Sequence, residues 1–268
     1  LGTDKLSAEQ VKQQFYKLAC DYSISERNER TYITLNGLNS NLPQALALLN
    51  NLVSNAKVDR QAYDLYVEQI LKSRSDNKAN QQANFSALRN YATYGTYNPT
   101  RNILSEQALK AMNPQDLLTM LKSLKNYKMT VLYYGPSSLK AIDQLVTKTV
   151  QSPKTFAAVP AQKRYVEQTT PKNEVVIAPY DAKNIYMVQL HNENQEWSAD
   201  RAPVIALFNE YFGGSMNAIV FQELREARGL AYSAFARYDE PYRLGDKESF
   251  YTYIITQNDK MMDCVHEF

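Results

Sequence analysis

Apolar residues near the start of the chain recur every three or four positions, the spacing of one face of an α-helix. The series consists of Val11, Phe15, Leu18 and Tyr22. Ser7 with Gln10 three positions later matches the capping box that opens helices. The pattern therefore predicts an amphipathic helix that begins after Ser7.

Further along residues 1–150, the pattern predicts a short strand and several helices. Residues 31–35 alternate like a strand that ends at Asn36-Gly37. Helices are expected from Asn41, over 59–94 with a break near 75–77, from Asn113-Pro114 to Leu124, and over 139–150. The run at 129–134 (MTVLYY) is β-rich. This order predicts a layer of helices packed on a sheet.

The second half repeats this mixture after a stretch without periodicity. Residues 151–164 contain two prolines and are interpreted as a linker; the alternative is a long surface loop within one domain. Strands are then expected at 174–178, 185–191, 230–238 and 249–256, and helices at 198–212 and 216–227. We therefore predict the α+β class, with two related layered domains, 1–150 and 165–268, each a mixed or antiparallel sheet covered by helices.

Composition excludes several classes of protein. The 268 residues include 30 Lys and Arg against 28 Asp and Glu, a formal net charge of +2, so the basic excess of a nucleic-acid binder is missing. The longest apolar stretches are far shorter than the ~18 residues that span a bilayer. The first residues do not resemble a signal peptide. The chain does not begin with Met, and a helix that starts at Asn258 stops at Phe268, so we expect both domains to be incomplete.

Potential metal ligands are scarce in this sequence. His191, His266, Cys20 and Cys264 are its only His and Cys residues, and they show no ligand spacing. A structural zinc site takes four protein ligands and a catalytic site takes three. We therefore expect no metal site built by this chain alone, and the cysteines are interpreted as small buried apolar residues. Two cysteines fit the cytoplasm and the periplasm equally, so the compartment stays open.

The glycines cluster in one segment. Three of the eight, Gly213, Gly214 and Gly229, fall within residues 213–229. The segment 221–233, FQELREARGLAYS, resembles the C-terminal signature of the insulinase-like (pitrilysin) zinc metallopeptidases. The stretches ITLNGLNSNLPQALALLNNLV and YATYGTYNP in the first half are similar to the third domain of the long, four-domain members of that family.

The resemblance implies one half of a clamshell that closes around an unfolded peptide. Residues 1–150 would be most of the third domain, and 165–268 the beginning of the fourth. The zinc motif, H-x-x-E-H, would lie on the opposite half. We therefore expect no cofactor in this chain, zinc on the missing or partner half, and as partners a peptide substrate and a zinc-bearing N-terminal half of the same protein or a zinc-bearing subunit.

The resemblance also assigns site residues. Arg225 and Tyr232 match, with the family's spacing, the two residues that bind substrate beside the scissile bond. A guanidinium and a phenol are suitable donors to the oxygen that gains negative charge during peptide hydrolysis. The alternative is a solvated Arg225 and a core Tyr232. Gly213 and Gly214 are predicted to let a substrate backbone approach, or else to form a turn between helices.

Two alternatives concern the metal and the activity. If a zinc motif lay immediately upstream of Leu1, its third ligand would be expected near Ser73, and Glu68 is the nearest helical carboxylate. The leading functional hypothesis is the non-zinc half of a metalloendopeptidase, inactive alone. The others are a catalytically dead homologue that binds peptide or assists assembly, and an unrelated α/β protein with a chance motif.

Overall fold

The structure is a computed structural model that describes residues 1–27, 30–241 and 243–268. The chain forms two compact units, each made of two separate segments. The first unit contains residues 1–71 and 104–162, and the second contains residues 72–103 and 163–268.

The first unit consists of helices and one antiparallel hairpin. The hairpin strands are β1 (Cys20–Arg27) and β2 (Arg30–Gly37), in which Cys20 pairs with Gly37 and Arg27 with Arg30. The helices are α1 (Ala8–Lys17), α2 (Leu42–Asn55), α3 (Arg60–Lys78), α5 (Glu106–Ala111), α6 (Pro114–Ser123) and α7 (Leu139–Thr149). The division between the two units falls within α3, after Leu71.

The core of the first unit lies between α1 and α2. Val11 and Phe15 of α1 are buried against Leu48, Leu49 and Leu52 of α2. Burying such side chains is worth about 1.5–3 kcal/mol each, so this contact stabilises the pair of helices.

The second unit is built on a three-stranded antiparallel sheet with the order β3–β5–β4. The strands are β3 (Asn184–His191), β4 (Ser233–Asp239) and β5 (Ser249–Gln257). The helices are α4 (Gln81–Tyr94), α8 (Ala202–Phe208), α9 (Ile219–Phe221) and α10 (Met261–Glu267). Helix α8 continues as a π-helix over Asn209–Gly213, and α9 continues as a π-helix over Gln222–Ala227.

Both faces of this sheet are covered. On one face, Ala234, Ala236 and Ile254 pack against Val220 and Leu224 of the helical segment that precedes β4. Successive residues of a strand point to opposite faces, so the alternate residues meet α4 instead.

The face toward α4 is aromatic. The ring of Phe85 lies 5.5 Å from that of Tyr186 and 6.2 Å from that of Tyr253. The guanidinium of Arg89 lies 4.9 Å from the ring centroid of Tyr251. Helix α4 is therefore held to the sheet by aromatic contacts.

Several predicted elements agree with the structure, and the α+β class is confirmed. The Ser7–Gln10 capping box is present, and strands form at Arg30–Gly37 and Asn184–His191. The paired strands expected at 230–238 and 249–256 are β4 and β5. No helix within the described residues is both long enough and apolar enough to span a bilayer.

Other predicted elements are wrong. Tyr22 belongs to β1 rather than to the first helix, because Ala19 turns the chain with φ of 49°. The runs 129–134 and 174–178 are not strands, since no neighbouring strand pairs with them in the described residues. The helix expected from Ser198 begins at Ala202, where Pro203 occupies a first-turn position.

The two compact units do not contain the same residue ranges as the predicted domains 1–150 and 165–268. The change of unit at residue 162 lies inside the predicted linker 151–164, but residues 72–103 cluster with the second unit. The assignment of these segments to a third and a fourth domain of the family stays a prediction.

Candidate functional site

The glycine-containing segment forms a helix, a tight turn and a strand. The π-helix Gln222–Ala227 ends at Arg228, Gly229 adopts φ of 57°, and β4 begins at Ser233. This left-handed backbone favours glycine, because a Cβ would be strained there. The turn is therefore fixed by the sequence.

Hydrogen bonds fold the strand back against the end of the helix. The carbonyl oxygen of Leu224 accepts from the amides of Leu230 at 2.8 Å and Ala231 at 3.2 Å. The amide of Gly229 donates to the carbonyl oxygen of Arg225 at 3.2 Å. Arg225 comes directly after Leu224, and Tyr232 comes directly after Ala231. Because Leu224 and Ala231 are hydrogen-bonded to each other, the backbones of Arg225 and Tyr232 lie close together.

Side chains of the following elements brace the same turn. Lys260 Nζ donates to the carbonyl oxygen of Gly229 at 3.1 Å. The hydroxyl of Thr256 donates to the carbonyl oxygen of Leu230. Arg228 Nη2 lies 2.8 Å from Glu267 Oε1 of α10. The turn is thus held by contacts from β5 and α10 as well as by its own backbone.

Arg225 lies on the surface of the π-helix. Its guanidinium carbon is 4.8 Å from the ring centroid of Phe221, and its Nε is 3.6 Å from Glu226 Oε1. The side chain is 47% exposed. The ring restrains the guanidinium through a cation–π contact while leaving N–H groups accessible.

Tyr232 presents its side chain to solvent. Its amide donates to the carbonyl oxygen of Ile255 at 2.8 Å, which joins its backbone to β5. The residue is nevertheless 79% exposed, so the alternative of a core tyrosine is wrong. An ordered backbone with a free phenol suits a donor that contacts a ligand.

Gly213 and Gly214 contact the chain's own backbone. A Cβ on Gly213 would overlap the carbonyl oxygen of Ala236 in β4 and lie 2.5 Å from its amide nitrogen. A Cβ on Gly214 would lie 2.6 Å from the carbonyl oxygen of Asn209. The first glycine lets the π-helix pack directly on β4. A role of either glycine in contacting substrate stays a prediction.

β3 and β4 are the two outer strands of the sheet in the described residues. The side chain of Asn209 is hydrogen-bonded twice to Tyr238 of β4: its Nδ2 donates to the carbonyl oxygen at 2.9 Å, and its Oδ1 accepts from the amide at 2.8 Å. An amide side chain thus replaces a neighbouring strand at that point of the edge. This contact could not be predicted from local patterns, since it joins residues 29 positions apart in the chain.

The chain offers no ligand set for zinc among the residues that the structure describes. No group of three or more His, Cys, Asp or Glu side chains comes together there. His191 Nε2 lies 2.9 Å from Glu193 Oε1 at the surface, and Glu68 is exposed on α3. Cys264 is fully buried and Cys20 partly so. The residues present do not fit the metal of the family's catalytic half.

Comparison with known families now identifies the chain. The profile described as "Peptidase M16 inactive domain" matches residues 111–268, and the profile described as "Insulinase (Peptidase family M16)" matches residues 1–107. The chain therefore belongs to the insulinase-like peptidase family M16, as the resemblance indicated. A search of curated proteins gives no match.

Solved structures show the same fold at low identity. A peptidase M16 inactive domain from Pseudomonas fluorescens is 16% identical with a TM-score of 0.71, and 99% of this chain covers 64% of it. A protease from Helicobacter pylori is 14% identical with a TM-score of 0.71, and 99% of this chain covers 65% of it. The ferredoxin protease FusC, in complex with Arabidopsis ferredoxin, is 10% identical with a TM-score of 0.76, and 99% of this chain covers 29% of it. This chain therefore spans less than two thirds of these relatives.

Proposed function

We propose that this chain is the non-zinc half of an insulinase-like metalloendopeptidase, which binds and orients peptide opposite a zinc-bearing half and is inactive alone. The observation that carries this proposal is the pairing of Arg225 and Tyr232 on adjacent, braced backbone with accessible side chains. The family assignment, with its profile named for an inactive domain, supports it.

The proposed chemistry belongs to this chain's own donors. When a peptide carbonyl is attacked, negative charge develops on its oxygen. N–H groups of Arg225 and the hydroxyl of Tyr232 would donate to that oxygen or to neighbouring substrate atoms. Because their backbones are fixed by the Leu224 and Ile255 hydrogen bonds, little reorganisation is needed when peptide binds. The bond-breaking machinery would come from the zinc-bearing half.

A reconstituted enzyme tests these roles. The chain is combined with a zinc-bearing half from the same gene or operon, and hydrolysis of an unfolded polypeptide is measured. We expect Arg225→Ala and Tyr232→Phe each to lower kcat/KM by about 10²–10³-fold, the usual cost of removing one such donor.

Matched controls come from the same unit. Tyr211→Phe removes the hydroxyl of another exposed tyrosine, and Arg101→Ala removes an exposed guanidinium that the site does not use. Both variants should keep nearly full activity. Undiminished cleavage by the Arg225 and Tyr232 variants would show that the assigned roles are wrong.

A catalytically dead homologue is the second candidate, because a chain that binds peptide or assists assembly needs no zinc ligands of its own. It predicts peptide binding without cleavage in every reconstitution. The two proposals separate on one observation: an H-x-x-E-H motif in the parent gene or in a bound partner supports the peptidase. If neither encodes that motif, the binding or assembly role stands.

A further inference from the structure

A recess lies within the second unit, on the side of the sheet that faces α4. It has a volume of about 280 Å³, which suits one side chain or a small molecule rather than a large ligand. Its wall includes Arg89 and Tyr94 from α4, Asp239 from β4, Tyr251 from β5, and Glu167. We call it the Glu167 cavity.

This cavity is separate from the Arg225 and Tyr232 site. Tyr232 immediately precedes β4, whereas Asp239 is its last residue. At about 3.3 Å per residue, the strand separates their backbones by roughly 20 Å. Arg225 also lies on the helical segment that packs on one face of the sheet, whereas the cavity adjoins α4 on the other.

The segment that carries Glu167 is anchored on both sides. The amide of Gln168 donates to the carbonyl oxygen of Thr93 in α4 at 2.8 Å. The amide of Thr170 donates to the carbonyl oxygen of Asn192 at 3.1 Å, and the hydroxyl of Thr170 accepts from the amide of Asn192 at 2.9 Å. The backbone next to Glu167 is therefore tied both to α4 and to the residue that follows β3.

One carboxylate oxygen of Glu167 is left without a partner. Oε2 is inaccessible to solvent and accepts no hydrogen bond in the described structure. A buried acceptor without a donor is costly and uncommon. The unpaired acceptor thus belongs to a residue that lines the cavity.

The surroundings of Glu167 favour a cation. Burial raises the pKa of its carboxyl group, a Ser249 hydrogen bond lowers it, and the negative charges of Asp239 and Asp246 raise it further. Arg89 lowers the pKa by the smallest of these effects, and its guanidinium already lies over Tyr251. Asp239 is paired with Arg237 at 2.9 Å, and Asp246 with Arg164 at 2.8 Å. Among the described residues, Glu167 is the acid of this group for which no ion pair is found.

We propose that the Glu167 cavity binds a guanidinium or primary ammonium group, which pairs with the Glu167 carboxylate and lies among the tyrosine rings. Such a group supplies both the missing donor and the missing positive charge, and aromatic walls add a cation–π contribution. The arginine or lysine side chain of a polypeptide and a free organic cation share this chemistry.

Equilibrium binding to the full chain tests the proposal without any zinc-bearing half. The probes are agmatine and a blocked glycine pentapeptide with one central arginine, titrated by isothermal calorimetry and by amide chemical shifts. Otherwise identical peptides with norleucine or glutamate at the centre are the ligand controls. Because no cleavage is measured, failure of the proposed peptidase role leaves this result unaffected.

We expect saturable binding of the arginine peptide and at least tenfold weaker binding of both control peptides. Equal binding of agmatine identifies a site for free cations, whereas preference for the peptide identifies a polypeptide side chain; either supports the proposal. Equal affinity for the norleucine or glutamate peptide, or no saturable binding, overturns it.

The matched variants are Glu167→Gln and Glu174→Gln. Glu174 is an exposed glutamate of the same unit that lies 4.0 Å from Lys172. Glu167→Gln should weaken binding at least tenfold without lowering the unfolding midpoint, since no ion pair of Glu167 is found among the described residues and glutamine can still accept the Ser249 hydrogen bond. Glu174→Gln should change neither the binding affinity nor the unfolding midpoint. Retained affinity in Glu167→Gln contradicts the proposal.

The pH dependence of cation affinity adds a second measurement, which would not change if Glu167 had only a structural role. The cation stabilises ionised Glu167, so its affinity should fall as the pH is lowered through the raised pKa of that residue. The same fall should be absent in Glu167→Gln. The other charged and titratable groups that face the carboxyl group are Arg89 and Tyr94 of α4, Asp239 of β4, Tyr251 of β5, and Asp246.

Discussion

Gly213 and Tyr232 belong to the same segment of sequence but have different constraints. Gly213 is buried, and the backbone of Ala236 occupies the space of its missing side chain. Tyr232 is exposed, and nothing in its packing requires a phenol. At the residue scale, the glycine is explained by the fold, whereas the ligand contact of the tyrosine stays a prediction.

Gly213→Ala should destabilise the second unit. The added methyl group overlaps backbone atoms of β4, which cannot move as a flexible side chain could, so we expect a loss of about 2 kcal/mol in the free energy of unfolding. Urea denaturation followed by circular dichroism measures it.

The control for that substitution is Gly229→Asn. Gly229 has no atom within 4 Å of its missing Cβ, and asparagine tolerates its left-handed backbone better than most residues do. This variant should stay close to the parent in stability. If Gly213→Ala were equally stable but bound peptide more weakly, the substrate role predicted for Gly213 would replace the packing role.

At the scale of elements, the helix–turn–strand around Gly229 could be predicted because its signals are local. Amphipathic spacing, one glycine and an alternating strand lie within residues 216–238, and the structure forms them there. The capping box at Ser7 is local in the same way. Such elements need no information from distant parts of the chain.

The runs 129–134 and 174–178 could not be predicted in this way. They have the composition of strands, yet Leu132, Val175 and Ile177 are exposed and no strand pairs with them in the described residues. A strand forms only where another strand supplies hydrogen-bond partners, and the local sequence does not contain that information. The Glu167 cavity could not be predicted for the same reason, since its walls come from five separate segments.

Hydrogen exchange should separate these runs from the sheet. Amides of residues 130–133 should exchange at nearly the rate of an unfolded chain, whereas those at the centre of β5, residues 251–255, should exchange at least about a thousandfold more slowly. Mass spectrometry of peptic fragments measures both in one sample. Protection of 130–133 comparable to that of β5 would mean that a strand from another chain pairs with them.

At the scale of the whole molecule, each compact unit takes residues from both halves of the chain. The second unit needs α4, because Phe85 packs against Tyr186 and Tyr253 on the sheet. The sequence favoured a division at 151–164 because prolines and lost periodicity are visible locally. The long-range packing of residues 72–103 has no such signal.

Two fragments test this organisation. Residues 72–268 should contain a second unit that unfolds cooperatively, since α4 covers the aromatic face of the sheet. Residues 165–268 alone should show no cooperative transition and should bind hydrophobic dyes, because Tyr253 and its neighbours lose their cover. Near-ultraviolet circular dichroism during heating distinguishes them. A cooperative transition in the shorter fragment would support the predicted domain 165–268 as an independent unit.

The interleaving of the two units also bears on how the chain is made. Gln81 Nε2 donates to the carbonyl oxygen of Asn184, 103 residues later, and the aromatic partners of Phe85 come from β3 and β5. At about 5–20 residues per second, a ribosome needs roughly 5–20 s to reach the first of these contacts. During that delay α4 has no sheet to cover it. We therefore expect nascent chains of this protein to need protection by chaperones until β5 has emerged.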